Sequence, residues 1–158
     1  MTICSKQIET VLQKIKLETI ECDHSYPITE KTTVAGEPYW GIYVIKEDAL
    51  LQFAGIQLTD HEWSINEVYI CDSENVAELV TKGLRIAKAW KSQMDEHWSS
   101  IPFDVLLSVD YGDSEISPSV TLRFWAVRNN YHYILPQKEN LDKFKTNAVM
   151  IECVNYAK

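Results

Sequence analysis

The stretch 73–98 constrains this chain more than any other. Within it Val76, Leu79, Val80, Gly83, Ala87, Trp90 and Met94 recur at three- and four-residue steps. At 3.6 residues per turn that spacing places them on one stripe of a helix, with Glu78, Lys82, Arg85, Ser92 and Glu96 opposite. A helix of this length spans roughly 35 Å, about the width of a small domain, so its apolar stripe needs an equally broad cover. A β-sheet is the natural one. Asp72 and Ser73 offer side-chain oxygens to the free amides of the first turn, Glu74 suits the helix dipole, and Ser99, Ser100 and Pro102 end the helix. Gly83 lies in the middle of the stripe, where its missing side chain predicts close approach of a bulky sheet residue such as Trp40 or Phe124.

The remaining segments supply that sheet. Residues 5–18 read as a shorter packing helix with Ile8, Val11, Leu12 and Ile15 inward and Lys6, Gln13 and Lys16 outward. The Thr-rich 28–34 reads as a short edge strand, and 39–46 as an aromatic and β-branched strand with 50–58 as its hairpin partner. A third strand, 66–71, leads into the long helix. After the helix, Phe103, Val105, Leu107 and Val109 alternate with Asp104, Ser108 and Asp110, which makes 103–111 a strand with one apolar face. Segments 120–128 and 131–135 flank Asn129-Asn130, a pair suited to a tight turn with positive φ angles. One helical turn at 141–144 and a closing strand at 149–154 complete the order. The five prolines all fall at element boundaries, where a missing amide costs least.

Helices segregated from runs of antiparallel strands define the α+β class. The expected architecture is two-layer: one curved, mostly antiparallel sheet of about six to seven strands on the long helix, with a short N-terminal helix beside it. At 158 residues and 46% hydrophobic content, the chain 1–158 is read as a single domain burying roughly 70% of its unfolded surface.

Charge narrows the partners. With 23 acidic against 15 basic side chains, the formal charge is −8, which disfavours phosphate backbones and anionic lipid and suits a basic protein partner. Neither nucleic acid nor membrane is expected. Four cysteines without a Cys-x-x-Cys pair make neither a zinc ribbon nor a disulfide framework. No signal-peptide pattern opens the sequence and no run approaches 18 apolar residues, so a cytoplasmic chain with reduced thiols is expected.

Motifs for catalysis are absent from the sequence. The five glycines match neither the dinucleotide nor the P-loop spacing, and neither Gly-x-Ser-x-Gly nor His-Glu-x-x-His occurs. Cys22, Asp23 and His24 put a thiol near an imidazole, but residues two apart in an extended chain diverge by roughly 6–7 Å. Asp60, His61 and Glu62 read as a solvated turn, since consecutive loop residues seldom converge on one ion. Asp110, Asp113 and Glu115 lack the carboxylate alternation of a calcium loop and read as exposed charge. No cofactor and no metal are expected.

The hairpin is the most informative candidate surface. A two-residue turn sets Arg128 opposite Tyr131 and Val127 opposite His132, so Leu122, Phe124, Ala126, Tyr133 and Leu135 share the core face. Arg123, Trp125, Val127, His132 and Ile134 share the other. Left open, that face presents a tryptophan beside a cation and an imidazole, residue types enriched at binding hot spots. The competing expectation is that the first helix or segment 21–38 covers it. The leading reading is therefore a non-catalytic protein-binding module, such as a toxin-neutralising immunity-type protein, using Arg123, Trp125 and His132 with Asp110, Asp113 and Glu115 to steer a basic partner. Two alternatives stand beside it. One is a small-molecule-binding protein or small enzyme with His132, Tyr133 or Glu152 in a pocket on the sheet; the other is a homodimer joined through the aromatic face.

Overall fold

The chain runs β1 (Thr2–Cys4), α1 (Lys6–Leu12), β2 (Thr29–Thr32), β3 (Pro38–Gly41), α2 (Ile56–Ile65), β4 (Glu67–Ile70), α3 (Val76–His97), β5 (Phe103–Asp110), β6 (Ser119–Ala126), α4 (Lys138–Leu141) and β7 (Asn147–Val154). These elements come from a computed structural model that describes residues 1–42, 52–144 and 147–156. The class is α+β, with an antiparallel five-stranded sheet in the order β1-β7-β5-β6-β4 and a separate β2–β3 ribbon. Seven strands occur among the described residues, divided five and two between these sheets; β1 adds to the expected set, and the expected strand 131–135 does not form.

Helix α3 buries Leu79, Val80, Gly83, Ile86, Ala87, Ala89, Trp90 and Met94 against one face of the sheet. Its cap lies later than Asp72 and Ser73. Asn75 Oδ1 accepts from the Glu78 amide at 3.2 Å, while Ser73 Oγ accepts from the Asn75 amide and donates to the Glu78 carboxylate. The near face of the sheet supplies Val105, Leu107 and Val109 of β5, Val120, Leu122 and Phe124 of β6, and Met150 of β7. Trp90 meets Phe124 edge-on at 4.9 Å, and each such fully buried large side chain stabilises the fold by about 2–3 kcal/mol. Gly83 does allow close approach, but to Leu107, Val120 and Leu122 rather than to Trp40 or Phe124.

Several boundaries differ from the sequence reading. The first helix stops at Leu12 and is followed by a 3-10 turn at Leu17–Thr19. The short helix near 141 begins at Lys138. Strand β3 pairs with β2, Lys31 opposite Tyr39, and not with the described residues 52–58 of its expected partner. Residues 43–51, which carry the rest of that expected hairpin, lie outside the described residues; 56–58 open helix α2 instead of ending a strand.

Helix α2 escapes a hydrophobicity search because its buried stripe is polar. Thr59 and Glu62, with Asn66 just beyond the helix, are fully buried and stand at helical spacing. Their partners are open backbone groups. Glu62 accepts from the Trp40 amide of β3 at 3.1 Å and from the Ala126 amide of β6 at 2.7 Å. Asn66 donates to the carbonyls of Trp40 and Phe124 and accepts from the Ile42 amide, and Thr59 donates to the Ala126 carbonyl at 2.8 Å. Side chains thus stand in for a missing ladder between the ribbon and the sheet, which satisfies buried backbone groups that would otherwise cost about 1–3 kcal/mol each.

The far face of the sheet, opposite α3, carries a second apolar cluster of Leu106, Trp125, Leu141, Val149, Ile151 and Cys153, with Trp63 and Ile134 packed against it. No helix among the described residues is long and apolar enough to cross a membrane. All four cysteines are free thiols.

Candidate functional site on the far face

Three side-chain groupings meet around the far face. The first is the junction of α2 with Arg128, whose guanidinium grips Glu62 at 2.7 and 3.0 Å and also donates to Thr59 Oγ1 and the Pro38 carbonyl. Burial pushes the Glu62 carboxyl above its ordinary range, while Arg128 and the two amides pull it back. Both Glu62 carboxylate oxygens and Thr59 Oγ1 are engaged within the chain. Such a saturated buried pair fixes the position of one element against another and offers no open position to a substrate.

The second grouping follows from how the hairpin opens. Asn129 and Asn130 take φ values of 53° and 57°, as their turn requires, and Arg128 bridges to Tyr131. The ladder stops there, because Thr59 and Glu62 already occupy the Ala126 backbone that 131–135 would need. The chain instead crosses the far face. His132 Nδ1 lies 2.7 Å from the buried Asp104 carboxylate, and Tyr156 donates its hydroxyl to the same carboxylate. Burial raises the Asp104 carboxyl and the Tyr156 phenol and pushes the Cys153 thiol up to about 12. A thiol so protonated is a poor nucleophile, which makes this cluster an anchor for the crossing segment.

That crossing decides the fate of the expected hot spot. Tyr133 stacks on Trp63 at 3.9 Å, and together they roof Trp125, 5.3 and 6.3 Å away between ring centroids. Trp125 is fully buried. The face is therefore covered within the chain, by α2 and 131–135 rather than by α1 or 21–38. Tyr133 and Leu135, expected in the core, are instead 43% and 46% exposed. Arg123 lies 4.6 Å from the Trp63 ring and donates to the Trp63 carbonyl and the Glu67 carboxylate.

Beside this roof the sheet stays open, and this opening is the third grouping. A groove of about 270 Å³ has Leu106, Thr121 and Val149 in its floor and Trp63, Ile134 and Phe144 in its walls, with Arg123 at one side. Exposed Leu135, Tyr133 and Phe144 extend the apolar surface around it. In register with its floor stand Glu67 and Tyr69 of β4 and Asp110 of β5; the Glu67 carboxylate is taken by Arg123, so Asp110 supplies the acidic flank. Trp63 and Phe144 were missed from sequence, since neither belongs to an alternating strand pattern.

The other singled-out residues scatter. Asp113 accepts from the amides of Glu115 and Ile116, which lowers its pKa and commits it to its own turn. Gly112, at φ 68°, is required there, because a Cβ would lie 2.2 Å from the Ile116 carbonyl oxygen. Asp113 and Glu115 are exposed on that loop. Asp60 accepts from the Tyr131 hydroxyl, His61 packs between Tyr39 and Phe53, and Glu62 is buried, so these three neighbours point apart. Asp23 binds Ser25 in a local turn beside Cys22 and His24. Glu152 pairs with Lys91 and Thr2 on the α3 side of the sheet, so it shares no pocket with His132 or Tyr133. No cluster of three metal-ligating side chains occurs among the described residues.

Comparison with known protein families, curated proteins and solved structures finds no match in any of the three.

Proposed function

We propose that the chain is a non-catalytic protein-binding module whose docking surface is the open part of the far face, and that its partner is basic. The observation that carries this reading is the groove walled by Trp63, Ile134 and Phe144 beside exposed Tyr133 and Leu135. Aromatic anchors in a partly formed cavity are the residue types on which binding energy concentrates. Asp110 on the same face, with a formal charge of −8 overall, favours a cationic ligand surface. A toxin-neutralising, immunity-type protein of the cytoplasm is one concrete form of such a module.

The test pairs the chain with a basic protein encoded next to it. Phe144→Ser should weaken that complex by about 2 kcal/mol or more and lower the fold's own stability by less than that, because Phe144 is 38% exposed. The association rate should fall as salt rises. A salt-independent rate, or full-strength binding by the variant, would overturn the proposal.

A further inference from the structure

We infer that the cleft between α3, the Leu17–Thr19 turn and β7 is a second site, one that takes a small amphipathic anion, specifically a medium-chain monocarboxylate. It lies on the opposite side of the sheet from the groove and does not depend on it. Leu17, Ile20, Leu84, Ala87 and Met150 line a cavity of about 210 Å³. Leu17 remains 49% exposed at its mouth, an apolar wall with nothing packed over it among the described residues.

The rim carries Lys88, Lys91 and Glu152. Lys91 and Glu152 pair at 3.3 Å and offset one another. Lys88 donates to the Ile20 carbonyl, a neutral acceptor, and has no carboxylate partner among the described residues. One uncompensated ammonium therefore stands over an apolar floor.

Its surroundings reinforce that sign. The adjoining cavity of about 480 Å³ brings Lys14, Lys16 and Arg85 together with Glu21 and Glu78. In an acidic chain, the two cavities together collect five cations against three carboxylates. Concave low-dielectric walls focus such a field on the ligand. A single unpaired cation beside a short apolar floor matches one anionic head and one alkyl tail.

Octanoate is the probe, titrated calorimetrically into the whole chain. Saturable binding at one site is expected, weakening about fourfold for each methylene removed toward butyrate. Lys88→Gln should weaken octanoate about tenfold and leave octanol unaffected, as for loss of one charge-assisted contact. Leu17→Ser, at an exposed wall, should weaken both ligands. Absence of saturable octanoate binding at millimolar concentration, octylammonium binding as tightly as octanoate, or association with anionic vesicles in place of free octanoate would overturn the inference.

Discussion

Replacing Gly83 sets two measurable effects against each other. A Cβ at this position lies 3.0 Å from Leu107 Cδ1 and Val120 Cγ1 and 3.4 Å from Leu122 Cδ1, whereas carbon atoms pack best at about 3.5–4.0 Å. Helix propensity alone would make Gly83→Ala stabilising by about 1 kcal/mol. Packing opposes it. The Leu107 methyl can rotate aside, but Val120 is β-branched, stiff at χ1 and held in an interior strand, so the helix must lift or the strand must bend. Overpacking of this kind costs about 1–3 kcal/mol, which leaves Gly83→Ala a net loss of about 1 kcal/mol. Gly83→Leu adds three more carbons with nowhere to go and should lose about 3 kcal/mol. Ser92→Leu, exposed on the same helix, should stay within about 0.5 kcal/mol. With a urea slope of about 2 kcal/mol per molar, the three midpoints should fall by about 0.5 M, fall by about 1.5 M, and shift by less than about 0.3 M. A Gly83→Ala protein with a raised midpoint, or equal shifts for the two leucine variants, would refute helix-on-sheet contact at this point.

Three further outcomes follow from the far side of the sheet. Trp125→Ala should destabilise the chain by about 3–5 kcal/mol in urea melts, since its roof of Trp63 and Tyr133 leaves it fully buried; a loss under about 1 kcal/mol contradicts that packing. Glu62→Gln should cost about 3–5 kcal/mol by stranding the Arg128 guanidinium, and combining it with Arg128→Met should recover part of the loss; strict additivity in that cycle would show the pair to be uncoupled. Burial raises the Asp104 carboxyl, so its folded state holds a proton that the unfolded chain releases near pH 4. Its stabilising share is therefore present below that pH and lost as pH rises through the raised folded value. Asp104→Asn should flatten this fall in urea-derived stability above pH 4, and an unchanged slope would place its origin elsewhere.

The elements legible in the sequence are those whose buried side is apolar. Helix α3 and strand β5 announce themselves by period, β7 by its continuous apolar run, and the Asn129-Asn130 turn by the positive φ that asparagine tolerates. Helix α2 is silent because Thr59, Glu62 and Asn66 bury polar groups, whose partners at Trp40, Phe124 and Ala126 are distant in sequence. The same cause explains the second strand of the hairpin. Its alternation is real, but competition for the Ala126 backbone cannot be read locally. Asp104 looked like a surface residue beside Ser108 and Asp110, and only Tyr156 and His132, both remote in the chain, make it a buried anchor. The groove shares this dependence, since Trp63 and Phe144 line it on one face of a sheet neither belongs to.

Strand β7 pairs with β5 on one edge and β1 on the other, Val105 and Glu152 on one side, Thr2 and Glu152 on the other. Vectorial synthesis therefore produces β7 after both of the strands it joins. A ribosome moving at roughly 5–20 residues per second needs a few seconds to travel from Ala126 to Val154. Throughout that interval β1 has no partner strand, and β5 offers an unpaired backbone edge beside one of the most apolar surfaces in the chain. Two nascent chains on one message meet in that window with matching open edges. The longer β7 takes to emerge, the longer that edge stays open as a template for a foreign strand.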